Sequence, residues 1–440
     1  LITNWPILAQ SNFFLFVHFF SYLGVIVNSL LTHRSRLPQR TLLKQTLQWG
    51  FASLLAVACY SHAGTREQAL QIHNRVAGVP PSAEVLDEMS GLIAADDVAG
   101  AVDIAMENDA FYNVTLKNLA TPWTNRDRTI FAPLNDYSAT IIGIVRDDVD
   151  FRTALYGNIL YTSNASGLAA YSNSNNNHYQ QAQDQNVSLK DTLVQRVQSD
   201  VTGLPTEAAS GVITSRAAAR AFFIDGTNRA MFRFTLINHL CRDLEQVHDV
   251  TRVPDYIRQD VSRSPGGDSR VFLNNCMGCH AGMDPMAKAY AYYDFEYPTD
   301  SPDEGAIHYN ASGDTDPITG SRVEKKYLQN SSTFKPGYIT TNDDWLNYWR
   351  EGINMHLGWG WNSPSLTGQG TGASSMNQEL AHTKAFATCK VEQVFHNVCL
   401  RTPASTTDLD KIEEFTNNFA TSGYHLKQVF RDTADYCKGE

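Results

Sequence analysis

The sequence predicts a mainly α, multi-helical protein with minor β hairpins, and three observations lead there. Residues 66–118 divide into short stretches of helical composition separated by turn residues. Residues 217–241 place Phe222, Phe223, Met231, Phe232, Phe234, Leu236 and Leu240 at helical intervals. Three more helical stretches follow at 342–352, 378–401 and 408–421, whereas alternation is weak and centres on 307–323.

In chain order, the first helix covers 66–76 and stops before the turn Gly78-Val79-Pro80-Pro81-Ser82. Ser82-Ala83-Glu84-Val85 starts the second, a third lies near 98–108, and a fourth covers 111–119. Residues 123–138 read as loop. Residues 139–145 are apolar and β-branched enough for a strand or a buried helix. The stretch 161–185, rich in Asn, Ser, Gln and Tyr, reads as a long surface loop. Asn164-Ala165-Ser166 and Asn186-Val187-Ser188 match glycosylation acceptors, which in a bacterial protein are chance matches. A Pro/Gly linker occupies 263–268.

Further on, Asp284 suits an N-cap and Pro285 the first helical position, so a helix is expected through Tyr293, ended by Tyr297-Pro298. Residues 307–323 read as a small hairpin. Its Asp314-Thr315-Asp316 is a polar turn, lacking the further carboxylates that calcium requires. Gly423 suits a helix C-terminus, and 425–435 forms a last short helix. No internal repeat is present.

The length of 440 residues suggests two or three domains, and 42% apolar with 18% charged residues describes an ordinary globular chain. Residues 1–63 differ. They hold Arg34, Arg36, Arg40 and Lys44 and no acidic residue. This basic stretch, apolar residues 49–58 and Ser61-His62-Ala63 read as a bacterial secretory signal cleaved before Gly64. Lipid attachment at Cys59, giving an outer-membrane lipoprotein, ranks second, because Ala56 stands where Leu is usual. Residues 13–31 are apolar enough to span a bilayer, but Leu1 is not a methionine, and this part is taken as preceding the true start or as an unusual extension. No stable membrane span is expected in the mature chain.

Without those four basic residues the net charge moves from −11 to −15. Such an acidic surface argues against nucleic acid and anionic lipid, and for basic or weakly docking protein partners.

Chemistry enters at Cys276-Met277-Gly278-Cys279-His280. In a C-x-x-C-H motif each thiol can form a thioether to a haem vinyl group, and the adjoining histidine serves as proximal iron ligand. Cys276, Cys279 and His280 are therefore the candidate haem c site, with one covalent haem. A zinc site would need a second ligand pair, and Cys59, Cys241, Cys389, Cys399 and Cys437 offer no second C-x-x-C. Cys389 and Cys399 would lie on one helix about 15 Å apart, too far to bridge each other. Each needs a distant partner, for which Cys437 is the natural choice for one; buried free thiols are the alternative.

The surroundings of the motif resemble a known family. Cys276-Met277-Gly278-Cys279-His280-Ala281-Gly282-Met283-Asp284-Pro285, followed by Tyr292-Tyr293-Asp294-Phe295, is similar to the haem module of planctomycete-type cytochrome c proteins. Ile307-His308-Tyr309-Asn310-Ala311-Ser312-Gly313, Phe386-Ala387-Thr388-Cys389, Ser422-Gly423-Tyr424-His425-Leu426-Lys427 with Phe430-Arg431, and the turn at 74–82 resemble other parts of that family. The match touches most of the chain after the leader, and only the haem segment is chemically specific. The resemblance implies an exported haem protein with a cytochrome c-like haem region at 263–440, and names no substrate. Residues 64–262 would form an N-terminal helical region supporting it. Ala287 departs from the family's glycine, which puts close packing at that helix in doubt.

The sixth iron ligand separates the functions. Met283 and Met286 lie too near His280 to reach the opposite haem face and are expected at the porphyrin edge. Met355, in the segment Gly352-Ile353-Asn354-Met355-His356-Leu357-Gly358-Trp359, is the first candidate for the distal position, followed by His356, with Met376, His382 and His396 in reserve. Each could equally be core filler or a solvated side chain, and Trp359 and Trp361 could wall the haem or simply pack.

A His/Met or His/His iron would make a periplasmic or extracellular monohaem electron carrier with a redox partner protein. An open sixth position would make a peroxidase- or oxygenase-like enzyme, with His356 or Arg350 as distal acid/base group. A haem-stabilised surface or assembly protein is the third reading, since roughly 100–150 residues suffice to wrap one haem. No G-x-S-x-G, H-E-x-x-H or phosphate-binding glycine loop occurs, and Gly368-Gln369-Gly370-Thr371-Gly372 reads as flexible loop.

Overall fold

Helix α1 (Thr65–Val76) buries Ala69, Ile72, His73 and Val76, one helical stripe at i, i+3, i+4 and i+7. This computed structural model describes residues 63–328 and 335–439. The leader, the apolar run at 13–31 and Cys59 lie outside the described residues. Helix α2 (Ala83–Ala94) starts where Ser82 Oγ accepts the Val85 N–H at 3.3 Å, and α3 (Val98–Met106) starts on the Asp97 carboxylate. A π turn and an α turn make α4 (111–120).

Residues 139–145 prove to be buried helix. They belong to α5 (Asp136–Arg146), which Asn135 and Ser138 open with a reciprocal capping box. Strand β1 (Ile159–Ser163) pairs antiparallel with β2 (Leu193–Val197). The expected surface loop at 161–185 is thus corrected: it starts in β1 and contains helix α6 (Asn177–Asp184). Its tyrosines can go inside because their hydroxyls find acceptors. Tyr161 Oη donates to Asp147 at 2.7 Å, and Tyr179 Oη donates to the Tyr161 carbonyl at 2.7 Å.

Helices α7 (216–223) and α8 (229–240) replace the single run expected at 217–241, broken at Asn228, whose φ is +60°. The motif helix α9 (269–287) runs without interruption through a π turn at Phe272–Cys276 into Met277–Ala287. Asp284 is therefore no N-cap and Pro285 no first residue; both sit in the last turns of a helix already under way. Strand β3 (Tyr293–Glu296) follows and pairs antiparallel with β4 (Ala306–Tyr309), so the hairpin lies upstream of the one expected at 307–323.

The helix expected at 342–352 is absent. Strand β5 (Asp344–Leu346) occupies it, paired with β6 (Gln369–Thr371), which takes up the glycine-rich stretch. Asn342 Oδ1 accepts the Asp344 N–H at 3.2 Å and Asn347 Oδ1 the Trp349 N–H at 2.9 Å, local bonds that compete with a helix. The run at 378–401 divides into α10 (Gly372–Ala381) and α11 (Lys384–Cys399). Thr383 separates them in an extended conformation and caps α11 through the Phe386 N–H at 3.0 Å. Helices α12 (Thr406–Thr421) and α13 (Leu426–Cys437) complete a mainly α fold.

Helix α13 packs on α1, α3 and α11, so the C-terminal end closes on the N-terminal helices. One apolar core extends from Ala69 to Cys437 and draws on both sequence regions, 64–262 and 263–440. Ala63–Glu440 forms one compact unit. Among the described residues the four cysteines outside the motif pair as Cys241–Cys389 and Cys399–Cys437, with Cα separations of 5.3 and 5.5 Å. Among the described residues no helix is long and apolar enough to cross a membrane.

One buried carboxyl gives this fold a pH dependence. Burial, with Asp294 nearby, raises Glu324 to about 7 against the pull of His308 and Lys326. Its Oε1 has no hydrogen-bond partner among the described residues. The protonated form is the one the fold prefers, so this stabilisation is present below the ordinary carboxyl range and is lost as pH rises through about 7. Urea midpoints of wild type and Glu324→Gln should therefore diverge with pH. The advantage of Gln is expected to be larger at pH 8 than at pH 5, and an equal advantage at both would refute this account.

Candidate functional site

At ~100° per residue, positions 276, 279, 280 and 283 fall on one face of α9, and 278 and 282 on the opposite face. The structure builds the two faces differently. Gly278 lies against the His248 imidazole and Gly282 against the Trp349 indole; a Cβ on either glycine would overlap the ring. The loop carrying His248 is pinned there, since the Asp249 N–H donates to the Gly278 carbonyl at 2.9 Å. Close packing of this helix, doubtful from Ala287, comes instead from these two glycines. Gly282→Ala is expected to destabilise the fold by about 1–3 kcal/mol, because Trp349 is fully buried and cannot swing out. Chemical denaturation measures this, and an unchanged midpoint would mean that the indole relocates freely.

The other face presents the chemistry. Cys276 and Cys279 are the free cysteines among the described residues, both half-buried. Burial pushes the Cys279 thiol up, and Glu245 and Asp243 add to it, while its Sγ donates to the Leu244 carbonyl at 3.4 Å. A redox-active C-x-x-C pair needs the opposite, a thiol lowered toward neutrality.

His280 is fixed by a carboxylate. Its Nδ1 lies 3.2 and 3.3 Å from the two Asp284 oxygens, one helical turn on. Asp284 has a fully buried side chain and is gripped from the other side by Arg229, Nε to Oδ1 at 2.7 Å and Nη2 to Oδ2 at 2.8 Å. The same guanidinium reaches Asp260, with Nη2 to Oδ1 at 2.9 Å, and Arg258 stands 3.6 Å from Asp260. Burial alone would raise Asp284, yet Arg229 and His280 hold it well below the usual carboxylate range. With Nδ1 turned to Asp284, the imidazole is held in one orientation and Nε2 is the ring nitrogen left to a metal.

Apolar side chains also stand exposed near the motif in sequence and along the loop that packs behind the helix. Val271 and Leu273 lie in the turns before Cys276, Val250 and Val253 in the loop after Asp249, and Ile353 and Met355 in the 3-10 segment Gly352–Leu357. This segment is joined to the His248 loop by Asn354 Nδ2 donating to the Val247 carbonyl at 2.9 Å, and by Arg252 beside Glu351 at 3.5 Å.

The remaining candidates are dispersed. Met355 is 60% exposed on that 3-10 segment. His356 is exposed, its Nδ1 at 2.6 Å from the Ile353 carbonyl. Arg350 spends Nε and Nη2 on the buried Glu379, each at 2.7 Å. Met376 and His382 are buried on α10, with His382 Nδ1 on the Gln378 carbonyl at 2.8 Å, and His396 is exposed on α11. Met283 and Met286 are buried. Trp359 donates Nε1–H to the Asn354 carbonyl at 3.0 Å, and Trp361 is half-buried.

Sequence reading missed Asp284 as the partner of His280, together with Arg229, Asp260 and His248. The i, i+4 spacing of His280 and Asp284 was the available signal. Among the described residues no cluster of three or more His, Cys, Asp or Glu is placed to hold a metal ion, so these thiols gain no zinc-like ligand set. Two clefts of about 570 and 820 Å³ are lined by other parts of the chain. No family model, no curated protein and no solved structure matches this chain.

Proposed function

We propose that the protein is a monohaem c-type cytochrome that transfers single electrons, with Cys276 and Cys279 as thioether sites and His280 as proximal ligand. One observation carries this reading: two unpaired thiols share a helix face with a histidine whose Nδ1 is already engaged by a buried carboxylate. The four other described cysteines are paired as disulfides, so among the described residues the motif thiols are the ones left for attachment. The residues present fit the group. Thioether formation consumes both thiols, iron takes an imidazole through Nε2, and a porphyrin needs apolar contacts of the kind the cluster of Ile257, Phe272 and Val261 beside Cys276 offers. Bound there, haem supplies a one-electron couple.

The chain's own residues do the rest. Asp284 holds the imidazole in one tautomer and orientation. Gly278 and Gly282 let His248 and Trp349 lock the helix from behind. The disulfides favour an oxidising, exported setting, and the acidic surface a basic redox partner. The resemblance to planctomycete-type cytochrome c proteins agrees with this and rests on the motif segment. Met355 is the first candidate for the sixth ligand.

The test is expression with haem-attachment machinery, followed by a haem stain on a denaturing gel. Wild type is expected to retain haem through denaturation, and the Cys276→Ser, Cys279→Ser double variant to lose it. Wild type without covalent haem overturns the reading. A second reading, an open sixth position serving peroxide or oxygen chemistry, is favoured by the carboxylate on His280, because a more basic proximal imidazole supports such chemistry. Spectra with carbon monoxide separate the two. No shift of the reduced protein means a closed electron-transfer centre, and an immediate shift means an open iron.

A further inference from the structure

We infer that Asp284 is the residue that sets the reduction potential of this centre, and that Arg229 limits how far it does so; the inference rests on the haem reading above. The geometry comes first. His280 and Asp284 are one turn apart on α9, and the carboxylate meets the imidazole Nδ1 with both oxygens, at 3.2 and 3.3 Å. Solvent does not reach the Asp284 side of this contact, since that side chain has no solvent exposure. A carboxylate acceptor draws the Nδ1 proton and makes the imidazole a stronger donor through Nε2. A stronger donor stabilises the oxidised, more positive iron over the reduced one, so the potential falls.

Arg229 works against this pull. It shares both Asp284 oxygens through a bidentate pair and drains negative charge from the carboxylate toward itself. Asp260 takes the remaining side of the guanidinium and fixes it in that pose. The backbone N–H of Arg258 adds a longer contact to Asp284 Oδ2 at 3.3 Å. The pull on His280 is therefore a compromise between three donors and one carboxylate. Asp284 is a positioning residue that would act through His280 and not touch the metal itself, and its effect is read at the metal.

The two residues are predicted to move the potential in opposite directions. Asp284→Asn keeps the shape and removes the charge, and the reduction equilibrium should shift at least tenfold toward the reduced form, about 59 mV for a one-electron couple. Arg229→Lys keeps a positive charge but loses the bidentate grip, which returns charge to Asp284, so the potential should drop below wild type. Redox titration of the holoprotein reads both, and covalent haem in each sample is verified first by the gel stain. Opposite shifts support the proposal, because a variant that merely loosens the structure moves both potentials the same way. An unchanged or lowered potential in Asp284→Asn overturns it. Should Asp284→Asn fail to fold, Arg229→Lys decides alone: a drop supports the proposal, and no change or a rise overturns it. Wild type lacking covalent haem overturns the haem reading itself, and this proposal with it.

Discussion

Arg229→Met is expected to cost about 3–5 kcal/mol of stability, a large part of the roughly 5–15 kcal/mol a folded domain possesses. The side chain links α8 to the motif helix α9 and to the loop bearing Asp260. Its removal leaves two carboxylates without their principal counter-charge, one fully buried and the other 8% exposed. Arg258 can answer part of this, but it already stands over the Tyr327 ring and donates to the Thr227 carbonyl. The cost arises from the orphaned charges more than from the lost attraction. A triple variant that also carries Asp284→Asn and Asp260→Asn should therefore recover a substantial share of the loss.

The pH dependence should invert as well. In wild type, Arg229 and His280 keep Asp284 depressed against the push of burial, so its stabilisation is present above the ordinary carboxyl range and is lost on acidification. In Arg229→Met burial dominates, the carboxyl rises, and stability should fall as pH increases from about 4 to 7. Urea titrations of the three proteins at several pH values test this. A triple variant no more stable than Arg229→Met would assign the loss to packing instead.

Breaking Cys241–Cys389 by a double Cys→Ala change is expected to cost about 5 kcal/mol from chain entropy, against about 4 kcal/mol for Cys399–Cys437. The ranking follows from sequence separations of 148 and 38, since the longer loop restricts the unfolded chain more. Local structure acts in the same direction. Cys241 ends α8 beside Asn238, whose carbonyl accepts from the buried Lys390 Nζ and from Gln393 Nε2, each at 2.9 Å, so α8 and α11 are joined polarly where they are bridged covalently. Thermal unfolding of the two double variants measures the ranking. A larger loss from Cys399–Cys437 would show that native-state packing, and not loop length, governs both bridges.

Sequence alone carried the N-terminal helices and α12 and α13 well, because their caps and apolar stripes act over a few residues. Ser82 before α2 and the stripe of Ala69, Ile72, His73 and Val76 in α1 are signals of that kind. It failed where the deciding partner is distant. Asp284 looks like a cap until Arg229, 55 residues earlier, claims its carboxylate. Tyr161 and Tyr179 look like loop residues until their hydroxyls find acceptors across the fold. At 342–352 the helix gave way to Asn342 and Asn347, whose side chains bond their own backbone. The thiols and His280 could be singled out as candidates because the C-x-x-C-H signal depends on spacing within five residues. His248 and Trp349 were not, because their packing depends on glycines that carry no side chain to signal it.

The Cys241–Cys389 bridge also bears on the order in which the chain matures. A chain emerging N-terminus first presents Cys241, then Cys276 and Cys279, well before Cys389. In the exported setting proposed above, the next thiols to follow Cys241 are therefore the two motif thiols, only 35 and 38 positions on. Cys241 also begins the segment that leads to Asp249, whose N–H lies on the Gly278 carbonyl in the finished fold. Capture of Cys276 and Cys279 by another group, before α11 arrives, would remove the competing partners and leave Cys241 to wait for Cys389.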